Sequence, residues 1–200
     1  MASKQNHSYK EFLEPEMMLK LYAQGAFPMA DENSGEINWY LPDNRAIIPL
    51  DKYNLPRSLK KSLVQSEFLF KIDNDFPAVV KNCANRKSTW ISDELIEAYL
   101  RLNKLGFIHT VETYQKNKLV GGLYGIALNG AFFGESMFSK VSQASKAALV
   151  KLIEHLNQNK FVLLDVQYMT PHLKMFGAVE ISSAEYQDLL LKSYVTQCKF

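Results

Sequence analysis

The sequence predicts an α+β fold, a central mixed sheet flanked by helices with a small N-terminal subdomain ahead of it. Three observations carry that prediction. Residues 107–135 hold three β-prone runs joined by short turns, the second turn being Asn129-Gly130, a pair that favours a tight hairpin. A long helical pattern then leads into the apolar run FVLLDVQ at 161–167. A strand, a helix and a returning strand make a βαβ crossover with parallel strands.

The elements follow in order. Pro15 to Gln24 reads as a short helix closed by Gly25. An irregular stretch follows through Phe27-Pro28, the acidic loop Asp31 to Glu36, and Ile37 to Arg45. The division between subdomains is set there, giving 1–46 and 47–200. Leu55 to Ser66 is helical, with Pro56 in its first turn and Leu59, Leu63 and Val64 on one face. Phe68 to Ile72 is a strand, and Asp75 caps a helix running to about Arg86. Ser92 caps the next, with Asp93 and Glu94 favourably placed in its first turn and Gly106 after its last.

The meander then comprises Phe107 to Tyr114, Leu119 to Leu128 and Ala131 to Glu135. Ser142 is expected to cap the crossover helix, whose Leu149, Leu152, Ile153 and Leu156 face the sheet. Phe161 to Val166 is a buried strand. Thr170-Pro171 opens another helix, ended by Gly177; Val179 to Ile181 is a final short strand, and Ser183 starts the last helix.

Composition narrows the class. The chain has 200 residues, 47% hydrophobic and 22% charged, ordinary for a soluble globular protein. No run approaches the ~20 apolar residues that span a bilayer, and the polar start MASKQNHSYKEFLEPE lacks the apolar centre of a signal peptide. Cys83 and Cys198 stand far apart, without a CxxC or a His cluster at metal spacing. No membrane partner, metal or cofactor is expected, and the cytoplasm is. The net charge of +2 is too small to announce nucleic-acid binding, although Arg57, Lys60 and Lys61 share one helix.

Chemistry is sought where polar groups interrupt apolar runs. Glu135 follows Ala-Phe-Phe-Gly, and burying a charge costs several kcal/mol unless it is paired. Asp165 and Gln167, two apart, leave the same face of their strand. If the crossover makes the two strands neighbours, all three groups gather at strand ends, where open α/β sheets bind ligands. A satisfied structural network is the alternative. Gly121, Gly122 and Gly125 mark a bulge or a close ligand approach. Trp39 and Trp90 read as core or interface, and His109 and His172 as structural.

The element order resembles the GNAT superfamily of acyltransferases. Those enzymes hold the CoA pyrophosphate on a glycine-containing loop that opens the crossover helix. Here the matching stretch is Gln143-Ala-Ser-Lys146-Ala-Ala148, with lysine in place of a permissive glycine. An activated acyl donor other than CoA is therefore expected.

The segments YAQGAFPM, NWYLPDNRAIIPLD, RSLKKSL, TWIS, LVGGLYGIALNGAFFGESMFS, ASKAALV and LLDVQ resemble the leucyl/phenylalanyl-tRNA–protein transferases, in that family's order from about Leu13 onward. The resemblance implies a GNAT-like acyltransferase domain behind a trimmed N-terminal subdomain, monomeric and independent of metal or CoA. It implies transfer of Leu, Phe or Met from aminoacyl-tRNA to proteins with N-terminal Arg or Lys, marking them for N-end rule degradation. Asp165 and Gln167 would form the catalytic pair, with Glu135 holding an ammonium. Met29, Trp90, Leu123, Phe132, Met137, Leu152, Leu156 and Leu164 would line the donor side-chain pocket. Arg57, Lys60, Lys61 and Lys146 would contact tRNA. Two departures stand out: the segment before the match is short, and Met29 replaces the family's usual tryptophan. An acyl-CoA N-acyltransferase and an inactive tRNA-binding relative are the competing readings.

Overall fold

The computed structural model describes residues 9–200. After a 3-10 turn at Tyr9–Leu13 come helix α1 (Pro15–Ala23) and strands β1 (Phe27–Ala30), β2 (Ile37–Tyr40) and β3 (Asn44–Ile47). Then follow α2 (Arg57–Gln65), β4 (Leu69–Ile72), α3 (Phe76–Ala84) and α4 (Asp93–Lys104). The meander is β5 (Ile108–Gln115), β6 (Lys118–Leu128) and β7 (Ala131–Ser139). The chain closes with α5 (Ala144–Gln158), β8 (Leu163–Gln167), α6 (Pro171–Lys174), β9 (Val179–Ser182) and α7 (Ser183–Val195).

Seven strands form one mixed sheet in the order β4-β5-β6-β7-β8-β3-β9, and β1 pairs with β2 in a separate hairpin. The meander is antiparallel, and β7 and β8 are parallel across α5, as the crossover requires. Alternation along the strands divides the core in two. Tyr124, Phe133 and Leu163 pack against α1, α3, α4 and α7 on one face. Leu123, Phe132 and Leu164 pack against α2, α5 and α6 on the other.

The acidic loop at 31–36 is as expected, but the residues around it are not irregular: β1 and β2 flank the loop, and β3 follows. Pro28 lies within β1, and four residues are too few to display a period. β3 is the consequential one, because it enters the main sheet between β8 and β9. The division expected after residue 46 falls inside it. Leu13, Met18 and Tyr22 share one apolar core with α3 and α4.

Two more expectations change. The crossover helix is preceded by Gln143 in the left-handed region (φ 70°), not capped by Ser142. The tight approach of α5 to the sheet explains the glycine at 121, since a Cβ there would come within 2.6 Å of Ala144 Cβ. And β7 runs on to Ser139, so Glu135 lies inside a strand, not at its end. Among the described residues no helix is long and apolar enough to cross a membrane.

Candidate active site

Strand geometry sets the site. β7 and β8 pair only at Ala131–Leu163, Phe132–Leu164 and Phe133–Asp165, after which they part. On its other side β7 stays paired with β6, but the register shifts: Gly125 opposes Gly134 and Tyr124 opposes Ser136. Glu135 is the extra residue of this β-bulge, and a bulge re-aims a side chain. Gly125 is required there, because a Cβ would meet the Phe133 carbonyl oxygen at 2.3 Å.

The re-aimed carboxylate accepts three hydrogen bonds. Tyr22 of α1 donates to Oε1 at 3.0 Å, Tyr99 of α4 to Oε2 at 2.7 Å, and Gln167 Nε2 to Oε1 at 3.3 Å. Burial outweighs these donors and pushes the Glu135 carboxyl up to about 7. The same burial drives both phenols well above their ordinary range, so they remain hydrogen-bond donors at neutral pH.

Asp165 is fully buried and turned away from this opening. Arg45 of β3 reaches it with Nε at 2.8 and 3.0 Å and Nη2 at 2.6 Å, and Tyr186 of α7 donates to Oδ2 at 2.7 Å. Its Oδ1 also accepts the Gln167 backbone N–H at 2.9 Å. Gln167 needs that anchor: its φ is +59°, a conformation rare outside glycine.

Where the strands part, a cavity of about 470 Å³ opens through the sheet. Phe27, Met29, Trp90 and Tyr124 wall it on one face; Leu123, Leu149, Leu152 and Leu164 wall it on the other. Glu135 and Gln167 stand in the gap, and Arg86 and His172 add polar edges. The site therefore pairs an apolar slot for a side chain with a carboxylate suited to an ammonium and an amide beside it. Among the described residues no group of three or more His, Cys, Asp or Glu could hold a metal ion.

The model of the family described as leucyl/phenylalanyl-tRNA protein transferase matches residues 47–191, and that of its N-terminal domain matches residues 13–43. The chain belongs to this family. A leucyl/phenylalanyl-tRNA–protein transferase of Gloeothece citriformis is 50% identical over 90% of this chain and 95% of its own length. The enzyme of that name from Akkermansia muciniphila is 46% identical over 92% and 98%. The one from Herpetosiphon aurantiacus is 47% identical over 94% and 98%. Likeness to solved structures is slight: L-PGS from Bacillus licheniformis gives a TM-score of 0.44 at 13% identity, over 80% of this chain and 55% of that one, too weak to carry an argument.

Set against the residues that the transferase resemblance singled out, the cavity holds Met29, Trp90, Leu123, Met137, Leu152 and Leu164, together with Glu135 and Gln167. Phe132 and Leu156 do not reach it. Both are fully buried in the core on the α5 side, where the Phe132 ring lies 5.3 Å from that of Phe200. Phe132 precedes the splay, so its side chain is still enclosed by paired strands.

Arg57, Lys60 and Lys61 lie together on the exposed side of α2, beside Val64. Lys146 borders a different depression with Lys140 and Gln143 at the start of α5. Its charge, after burial, helps lower the pKa of His172. Sequence reading missed Tyr22, Tyr99, Arg45, Tyr186 and Arg86. In NRAI an arginine stands directly ahead of an apolar run, and that is the signal that could mark Arg45. Arg86 follows α3, and its Nη2 donates to Ser136 Oγ and the Met137 carbonyl at the cavity lip.

Proposed function

We propose that the chain is an aminoacyltransferase that moves Leu, Phe or Met from aminoacyl-tRNA to the N-terminal amine of proteins beginning with Arg or Lys. The observation that carries this reading is the joining of Glu135 and Gln167, 3.3 Å apart, at the polar throat of an apolar cavity. An ester donor is already activated, so catalysis reduces to holding an amine against its carbonyl carbon and stabilising the oxyanion.

In this assignment the donor side chain lies in the slot walled by Met29, Trp90, Leu123, Met137, Leu152 and Leu164. Glu135, ionised, binds an ammonium. Gln167 commits Nε2 to Glu135, which leaves Oε1 to accept from the attacking amine. As the C–N bond forms, the amine loses one proton; as the ester C–O bond breaks, the ribose oxygen gains one. An amide is a poor base, so that proton passes through the ribose hydroxyl or water. Asp165 holds Gln167 and does not touch substrate.

The wider reading follows the family. A small N-terminal unit that ends ahead of β3 precedes a GNAT-like catalytic unit, the first supported by the N-terminal-domain match at 13–43 and the second by the parallel β7–β8 crossover and its splay. The protein works as a cytoplasmic monomer, its products enter N-end rule degradation, and Arg57, Lys60, Lys61 and Lys146 contact the tRNA. The test is transfer of radiolabelled leucine from Leu-tRNA to an Arg-starting peptide. Label in the peptide is expected; none, with intact Leu-tRNA bound, overturns the activity.

A further inference from the structure

We propose that Arg45 and Tyr186 are positioning residues for the transfer reaction, acting through Asp165 on the conformation of Gln167. The inference rests on the proposed function and concerns two side chains that do not line the cavity.

The geometry forms a continuous chain of contacts from Arg45 and Tyr186 through Asp165 to Gln167. Asp165, 0% exposed, is an acceptor whose partners are Arg45, Tyr186 and the Gln167 N–H. Burial works against the Arg45 charge, but the Asp165 carboxylate more than offsets it and raises the guanidinium pKa. The guanidinium is itself clamped, 4.6 Å from the Phe27 ring and 4.9 Å from the Tyr186 ring. A two-pronged salt bridge whose guanidinium lies against two aromatic rings fixes both carboxylate oxygens in direction, which a lysine's single point charge would not.

That fixed direction has one consequence at the site. Asp165 Oδ1 holds the Gln167 N–H while Gln167 sits at φ +59°. A residue other than glycine persists there only when its surroundings over-determine it. Released, the backbone relaxes toward extended geometry, and the side-chain amide leaves its 3.3 Å contact with Glu135. The clamp also joins distant parts of the chain: Phe27 belongs to β1, Arg45 to β3, Tyr186 to α7. Arg45 lies between the two segments matched by the family's models, 13–43 and 47–191.

Tyr186→Phe removes one hydrogen bond to Asp165 and keeps the ring over Arg45. The single-turnover transfer rate is expected to fall by roughly tenfold, as loss of a bond to a charged group implies, with the KM for Leu-tRNA within about twofold. In a Gln167→Ala background the same change should alter the rate by less than about twofold, because residues acting through one another are not additive. Arg45→Lys should cost more than Tyr186→Phe, and the Gln167 side-chain amide resonances should move in both variants. An equal loss in both backgrounds, or a wild-type rate in Tyr186→Phe, overturns the inference. So do unmoved amide resonances, which decide the matter where Gln167→Ala is too slow to measure or Arg45→Lys fails to fold. A wild-type chain that transfers nothing refutes the proposed function alone, since the resonances still report on the clamp.

Discussion

Glu135 Oε1 and Gln167 Nε2 lie 3.3 Å apart although their strands cease to pair at Phe133 and Asp165. Each residue departs from regular strand geometry to make that contact. Glu135 is the surplus residue of a bulge, and Gln167 turns into the left-handed region. The two departures face each other across the gap, so the polar pair spans an opening that the backbone has left unbonded. Local irregularity of this kind marks functional sites because surrounding structure must sustain it.

Gln167→Ala and Asp165→Ala should each slow transfer by on the order of 100-fold or more while leaving tRNA affinity nearly unchanged. The two act at different points, Gln167 at the amine and Asp165 on the Gln167 backbone. Filter binding alongside single-turnover rates separates the effects. Rates near wild type in both variants would remove the pair from the mechanism.

The pH dependence turns on Glu135, whose carboxyl burial raises to about 7 from an ordinary 4.5. A carboxyl raised in the folded state contributes stability that is complete below pH 4.5 and lost as pH rises through 7. Glu135→Gln should therefore stabilise the fold above pH 7, by on the order of 1–3 kcal/mol, and leave it unaltered near pH 4. If the ionised form binds an ammonium, the wild-type rate rises with pH through about 7 and the variant loses that limb. Thermal melts and rate profiles at matched pH values check both halves, and a wild-type-like profile in Glu135→Gln would exclude the assignment.

The meander, the crossover and the two chemical strands were legible because each has a local cause. Asn129-Gly130 fixes a turn, and FVLLDVQ is too apolar to sit outside a sheet. Glu135 announced itself as a charge among phenylalanines. What stayed hidden depends on contacts between distant segments. Tyr22 and Tyr99 occupy apolar helix faces, where a tyrosine looks like any core aromatic; only their convergence on Glu135 from two helices gives their hydroxyls a purpose. Arg45 meets a partner 120 residues away. The family resemblance assigns Phe132 to the pocket, and position along a strand, which says what face a side chain takes, does not say where two strands separate.

Binding of tRNA should weaken steeply with salt, because phosphate contacts release counterions. Arg57, Lys60 and Lys61 are exposed on one helix and form the first patch to neutralise. Changing all three to Gln should lower affinity and flatten the slope of log K against log salt by about one unit per lost contact. The catalytic rate at saturating donor should hold. An unchanged slope would place the tRNA elsewhere.

Met29 and Phe132 were grouped together in the sequence and are separated by the structure, which makes them a matched test of the cavity wall. Met29 lines the opening opposite Leu123 and Leu152, whereas Phe132 is sealed beneath it. A methionine adapts to several shapes, while an indole defines one. Met29→Trp should therefore sharpen discrimination among Leu-, Phe- and Met-tRNA without abolishing transfer, within the roughly 10- to 200-fold range that a methylene commands in an apolar pocket. Phe132→Leu should instead reduce stability, by about 1–3 kcal/mol, with donor preference unaltered. The deciding measurement is the ratio of kcat/KM for the three donors in wild type and both variants, beside their denaturation midpoints. Ratios that change in Phe132→Leu and stay fixed in Met29→Trp would mean that the donor side chain occupies space the cavity does not include.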